Sequence, residues 1–314
     1  MSKNIDLGQG ITLVDARYIN EDVAAMYLLR ENNEVAIIET GTSHSVADIE
    51  KALNTQGLDF SNVRYVIPTH VHLDHAGGAG ALMSVCENAQ LVVHPRGARH
   101  LVDPSKLIAG TIAVYGEEKF NRLYGDIKPV DESRVIEAGE GFELDLSGRK
   151  LTFLDTPGHA RHHFCVWDNK SATMFTGDTF GISYREFDTS DRVFIFPTTT
   201  PVQFDPEALI KSIDRIVGYQ PKQVCLTHFG AISPTPEVVS ELKQGIAMMV
   251  ALAQKYYNDE NAQQIIEKLM MQDLLQSLVS RGIDDTKSCQ QKLANDVNLN
   301  TQGLIFWQKH LHQS

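Results

Sequence analysis

Cysteine is scarce in this chain, at four in 314 residues. Cys86, Cys165, Cys225 and Cys289 lie far apart and form no Cys-x-x-Cys pair. That excludes a disulfide framework and leaves free thiols in a reducing compartment as the expectation. No apolar run approaches the ~20 residues that span a bilayer, so a membrane is not an expected partner. Met1-Ser2-Lys3-Asn4-Ile5-Asp6 has no basic region followed by an apolar stretch and does not read as a secretion signal. Cytoplasm is the expected compartment. Positive charge is also short, with 28 Lys and Arg against 40 Asp and Glu, a net of −12. An acidic surface repels phosphate backbones, so nucleic acid is not an expected partner either. What is present is an ordinary 42% apolar content, enough for a full core in one large domain or two modest ones.

Against this plain background one stretch stands out, Thr69-His70-Val71-His72-Leu73-Asp74-His75-Ala76-Gly77-Gly78. Residues 62–67 before it are rich in β-branched and aromatic side chains and read as a buried strand. Gly77-Gly78 and the small residues after it read as the start of a helix. The cluster is therefore expected on a loop at the C-terminal end of a strand, where a rigid scaffold presents side chains to a cleft. In an extended loop alternate residues point the same way, so His70 and His72 converge on one cation. Asp74 and His75 point elsewhere and reach a second. Imidazole with carboxylate suits zinc, and also iron or manganese. A histidine-rich surface loop is the plainer alternative; four ligand-type residues at this spacing, between a strand and a glycine pair, argue against it.

Other strand ends repeat the pattern. Residues 11–15, 24–29 and 34–39 read as early strands, and residues 45–53 have helical periodicity. His44 is expected to be a polar loop residue or a donor behind the cation site, with a direct approach to the cations from its own strand end as the alternative; His94 and His100 are expected to be structural or exposed. Residues 90–94 read as a strand ended by Pro95. The connection from 95 to 134 has helical stretches and suits either a segment packed over a site or an ordinary insertion. The paired strands 142–146 and 150–155 lead to Thr156-Pro157-Gly158-His159. His162 and His163 follow; a solvated loop is the first expectation for each, and a supporting role at the site for one of them is the alternative. A further pair, 164–168 and 173–176, leads to Gly177-Asp178-Thr179. Residues 224–227 lead to His228-Phe229-Gly230, with Cys225 expected in the core.

His70, His72, Asp74, His75, His159, Asp178 and His228, in that order, resemble the metallo-β-lactamase superfamily: His-x-His-x-Asp-His, a later His, a Gly-Asp and a final His after a strand. The resemblance covers roughly residues 10 to 235. It implies an α+β fold, the αββα metallo-β-lactamase sandwich, followed here by a C-terminal α-helical extension. It implies that His70, His72 and His159 hold one metal ion, that Asp74, His75 and His228 hold another, and that Asp178 bridges them. Two divalent ions are expected, Zn2+ first, with Fe or Mn as alternatives. A bridging water that loses its proton near neutral pH is then the nucleophile, and Asp74 holds it and later moves a proton.

Branches of the family differ in ways this chain can be compared with. Secreted β-lactamases usually lack the bridging Asp. Diiron flavoproteins carry Glu where this chain has His72, together with a flavodoxin domain. RNA-processing members bring a basic surface. The glyoxalase II, lactonase and general thioester or ester hydrolase branch is left, so a dinuclear hydrolase of a small ester-like substrate is expected. Arg281, Lys287, Lys292 and Lys309 are scattered, unlike the glutathione-binding cluster of glyoxalase II, and Phe180-Gly181 follows Asp178 where acyl-homoserine lactonases place Tyr. Two other readings stay open: a weakly catalytic regulator that binds a small signal molecule, and a mono-iron enzyme like persulfide dioxygenases.

The stretch from 180 to 204 holds Tyr184, Phe187, Phe194, Phe196 and Pro197. It is read either as the wall of an apolar pocket for a substrate's acyl portion, with Tyr184 as the oxyanion donor, or as the packing of an inserted loop. Residues 1–233 are expected to form the catalytic domain and 234–314 the helical extension. Helices are expected over 238–257, 262–279 and 300–312, with Met248, Met249, Met270 and Met271 in a core or interface. Two roles suit the extension, closing the active site or joining two copies as a homodimer. His310 and His312 are expected at an exposed end without a ligand role.

Overall fold

Residues 25–29 and 35–38 are apolar on both faces, so each run must be covered from two sides. The computed structural model, which describes residues 4–199 and 202–311, shows how. Seven strands form one sheet in chain order: β1 (Asn4–Gly8), β2 (Ile11–Asp15), β3 (Ala25–Glu31), β4 (Glu34–Ile38), β5 (Val63–Ile67), β6 (Gln90–Val93) and β7 (Val135–Glu137). Pairing is antiparallel from β1 to β4 and parallel from β4 to β7. Parallel neighbours need crossovers. These are α1 (Val46–Thr55), then α2 (Leu73–Ala76) with α3 (Ala79–Val85), then α4 (Pro95–Val102), α5 (Ser105–Tyr115) and α6 (Glu117–Tyr124).

Period-two alternation sorts the strand residues between two cores. Met26, Leu28, Val35, Ile37 and Val66 meet Ile49 and Leu53 of α1, Leu82 of α3 and Leu101 of α4. Their neighbours Tyr27, Leu29, Ala36, Ile38 and Ile67 meet Phe153, Phe164, Val166 and Phe175 of a second sheet. That sheet contains β8 (Glu143–Leu146), β9 (Arg149–Asp155), β10 (Phe164–Asp168), β11 (Thr173–Gly177), β12 (Gln223–Leu226) and β13 (Gly230–Ile232), ordered β13-β12-β11-β10-β9-β8. Only β11 and β12 pair in parallel. The result is an α+β sandwich. Arg149 and Asp168 are buried within it as a two-pronged ion pair; Arg149 Nε lies 3.0 Å from Asp168 Oδ1, and Nη1 lies 2.7 Å from the Gln9 carbonyl.

By contact density the chain divides into two units. One contains Met1–Asp155, His162–Gly177 and Gln220–Ser233, and it includes both sheets and α1 to α6. The other contains Thr156–Arg161, Asp178–Tyr219 and Pro234–Ser314. Its helices are α7 (Pro206–Gly218), α8 (Pro236–Tyr256), α9 (Ala262–Ser280) and α10 (Thr286–Leu311). Capping sets two of the starts. Asp205 Oδ1 accepts from Ala208 N at 3.0 Å and Thr235 Oγ1 accepts from Val238 N at 3.4 Å, each before a proline at the first helical position.

The last helix starts well before the expected residue 300, at Thr286. Residues 286–299 carry few apolar side chains, yet Cys289, Leu293 and Val297 fall four apart and are buried. A sparse stripe suffices when two neighbouring helices cover it. His312 lies outside the described residues. Strands β1, β7 and β13 and helix α7 also lie outside the expected elements. Met249 and Met270 are buried in the helical stripes. Among the described residues, no helix is long and apolar enough to cross a membrane.

Candidate metal centre

The stretch after β5 is not extended throughout. His72 keeps an extended backbone, and Leu73–Ala76 then makes one helical turn that carries Asp74 and His75. Glycine is required after it for close approach rather than for flexibility. A Cβ on Gly77 would lie 2.2 Å from the Leu73 carbonyl oxygen, and one on Gly78 would lie 2.5 Å from that of Thr40.

In the strand-rich unit this turn faces the tip of β12. His75 Nε2 lies 3.7 Å and His228 Nε2 lies 3.4 Å from Asp74 Oδ2. One ligand-type atom from each of Asp74, His75 and His228 falls within 4.8 Å of the others. The opposite ring nitrogens both meet acceptors: His75 Nδ1 lies 3.2 Å from Glu39 Oε1, and His228 Nδ1 lies 3.1 Å from the Val23 carbonyl. A proton on each Nδ1 satisfies those acceptors and turns both Nε2 lone pairs toward Asp74. That donor set fits a divalent cation in chemistry and in orientation.

Glu39 has no place in the ligand pattern read from the sequence, yet it organises this region. It directly follows β4 in a left-handed backbone conformation (φ 66°) and is only 1% exposed. A carboxylate at that depth needs donors. It accepts from Thr69 N (3.1 Å), Thr69 Oγ1 (2.5 Å) and Thr227 Oγ1 (2.8 Å) as well as from His75. It thus ties together the tips of β4, β5 and β12. The signal available for it is the one used elsewhere, an acidic residue at a strand's C-terminal end.

His70 and His72 bring two ring nitrogens to 2.7 Å, Nε2 of the first and Nδ1 of the second. His162 and His163 are buried, against the expectation of a solvated loop. The His162 ring stacks at 6.1 Å from that of His70, and the His163 ring lies tilted at 5.0 Å from it, where the strand-rich unit closes over the loop. Burial, reinforced by the neighbouring His72, His100 and His94, pushes the His162 pKa down to about 3 and keeps that ring neutral. A Cβ on Gly177 would lie 2.4 Å from His163 Nε2, so the glycine at the end of β11 makes room for this imidazole. His94 caps α4 by accepting from Arg96 N at 3.1 Å, and its Nε2 lies 3.1 Å from Asp155 Oδ1. His44 is exposed and His100 half-buried.

The helical unit holds the two remaining ligand-type residues. His159 Nε2 lies 3.3 Å from Asp178 Oδ2, and both side chains are buried. The start of α7 shapes the turn that carries His159. Asp205 N donates to the Gly158 carbonyl at 2.8 Å, and Ser212 Oγ donates to the Pro157 carbonyl at 2.7 Å. A Cβ on Gly158 would lie 2.3 Å from Leu209 N. Asp178 is held by its own turn, its carbonyl accepting from Gly181 N at 3.1 Å.

Tyr184 gives its phenol proton to Asp296 Oδ2 at 2.6 Å. Burial first, and that carboxylate second, raise its pKa. Phe187, Phe194 and Phe196 are buried against one another in an edge-linked series with centroids 5.2 and 5.7 Å apart. Thr200 and Pro201, in the same stretch, lie outside the described residues.

A family model described as the metallo-beta-lactamase superfamily matches residues 19–228. The chain is similar to the metallo-beta-lactamase fold-containing protein ST1585 of Sulfurisphaera tokodaii, at 30% identity over 217 residues, 68% of this chain and 75% of that protein. It is similar to the acyl-coenzyme A thioesterase MBLAC2 of Gallus gallus, at 27% identity over 185 residues, 55% of this chain and 63% of the relative. In fold it is similar to the metallo-beta-lactamase family protein TTHA1429 of Thermus thermophilus, with a TM-score of 0.64 at 20% identity over 98% of this chain and 95% of that one.

Proposed function

The chain belongs to the metallo-β-lactamase superfamily, and from that membership we propose that it hydrolyses a small ester-like substrate, a thioester before a lactone or simple ester, using two divalent cations. The observation that carries the reading is the fixed pair of imidazoles, His75 and His228, both turning Nε2 toward Asp74. In this reading Asp74, His75 and His228 hold one ion, His70, His72 and His159 hold the other, and Asp178 joins them. Neutral imidazoles with carboxylates suit Zn2+, with Fe or Mn as the alternatives. Bound there, such ions lower the pKa of water toward neutrality and polarise a carbonyl oxygen.

The chain's own groups do the rest. Glu39 keeps His75 in one tautomer, and the Val23 carbonyl does the same for His228. Asp74 takes a proton from the attacking water and later returns it to the leaving thiolate or alkoxide as the C–S or C–O bond breaks. An acid and a thiol or alcohol are the products. The thioester preference is supported by the resemblance to an acyl-coenzyme A thioesterase. Tyr184, whose proton is engaged by Asp296, serves in this reading to join residues 184 and 296 rather than to bind an oxyanion.

The test is metal content per chain on protein purified without added metal, together with turnover of a thioester, lactone and aryl-ester panel. Two ions per chain are expected, with thioester turnover falling by ~10²–10⁴ in Asp74→Asn. One iron and no hydrolysis would replace this reading with oxygen chemistry. Two ions and no hydrolysis would replace it with a signal-binding regulator.

A further inference from the structure

Three tyrosines meet beside the Asp74 turn, from segments far apart in sequence. Tyr18 lies in the loop between β2 and β3, flanked by two left-handed residues, Arg17 and Ile19. Arg17 anchors that loop to α1, with Nε at 3.1 Å and Nη2 at 2.6 Å from the Asp48 carboxylate. Tyr115 ends α5 and Tyr124 ends α6. Tyr18 and Tyr124 share a hydrogen bond of 3.0 Å between hydroxyls, with rings stacked at 5.9 Å. The Tyr115 ring lies 6.3 Å from that of Tyr124, tilted against it. Leu73, next to Asp74, belongs to the same apolar cluster as Phe120 and Tyr124, and the partly covered Ile108, Ile112 and Tyr115 pack against it. The Asp74 carboxylate raises the pKa of all three phenols, after burial as the first cause.

Three phenols carry three O–H groups, and the Tyr18–Tyr124 bond uses one of them, so Tyr115 keeps a proton to donate. The hairpin that carries it is held in place, because Ser43 Oγ donates to the Tyr124 carbonyl at 2.8 Å and accepts from Asp126 N at 3.1 Å. Ile108, Ile112 and Tyr115 are spaced i, i+4 and i+7 and share one face of α5. No residue of that apolar helix with a described side chain is fully buried.

We propose that Tyr115, at the end of the Tyr18–Tyr124–Tyr115 series, donates its proton to a substrate oxygen held beside Asp74, while Ile108 and Ile112 cover the substrate's apolar acyl end. The proposal rests on the hydrolase reading for the class of substrate, an acyl ester or thioester. Its test needs no turnover. Butanoate, octanoate and dodecanoate, as product acids, are titrated into the metal-loaded full chain by calorimetry. Affinity is expected to rise about fourfold per added pair of methylenes, a partly covered chain. Ile112→Asp should flatten that trend. Tyr115→Phe should weaken every acid about tenfold and leave the trend intact, a split that lost packing does not produce. Metal content measured on each variant shows that the centre is intact. Wild-type affinity without a chain-length trend, or Tyr115→Phe binding as wild type does, would overturn the proposal. A protein that shows the trend but hydrolyses nothing keeps this inference and loses the hydrolase reading.

Discussion

The strand-rich unit and the C-terminal helices bury different kinds of side chain. Inside the sandwich, Arg149, Asp168, Glu39 and Asp48 are almost wholly inaccessible, as are His70 and His75. The buried stripe of α8 reads Val238, Leu242, Ile246, Met249 and Ala253, and that of α9 reads Ala262, Ile266, Met270, Leu274 and Leu278. Helix α10 adds neutral Asn300, Thr301 and Gln308, and the covered guanidinium of Arg281, just past α9, pairs at the helix end with Glu241 of α8. A helix satisfies its own backbone, so its covered face needs only shape. Strand tips gather side chains from several elements, and a charge buried there costs several kcal/mol unless it meets a partner. Where charge is buried, the partner therefore shows its purpose. Arg149 and Asp168 partner each other and hold β9 to β10. Asp74 meets two imidazoles whose other nitrogens are already engaged, an arrangement suited to a cation.

This contrast can be broken by substitution. The largest effect on stability is expected from Arg149→Met, which leaves Asp168 buried without its guanidinium and should cost ~3–5 kcal/mol. Urea midpoints measure this, and Arg149→Met with Asp168→Leu should recover most of the loss. If the single change is silent, buried charge is not what distinguishes the sandwich. Next comes Leu293→Ala in α10, expected to cost ~3 kcal/mol through a cavity. Metal per folded chain should not move, and a loss of metal would mean that the helices do more than pack. The smallest effect is expected from Glu39→Gln. The fold should persist while chelator competition shows metal binding weakened by ~10–100-fold, because His75 loses its charged acceptor. Unchanged affinity would remove Glu39 from the organisation of the centre.

Much of the strand pattern is legible in the sequence because alternation is local. Residues 164–168 and 223–226 are covered on both faces or nearly so, and their apolar runs announce it. The start of α10 is not legible, since its buried positions are diluted by Lys, Gln, Asn and Asp. His162 and His163 read as solvated because nothing near them in sequence covers them. The cover comes from the His70 loop, 91 residues away for the Val71–His162 contact. The same distance hid Glu39, whose contacts with Thr69 and Thr227 span 30 and 188 residues.

The ligand-type residues, their order and the strands that carry them were determined by the sequence alone, because residue identity and short-range periodicity contain them. Which nitrogen each imidazole turns toward Asp74 was decided by the tertiary structure. His75 is set by Glu39, 36 residues away, and His228 by the Val23 carbonyl, 205 residues away. Tyr184 yields its proton to Asp296 across 112 residues, while Tyr18 and Tyr124 meet across 106. A proton's place depends on the acceptor within ~3 Å of it, and only the folded chain brings that acceptor near.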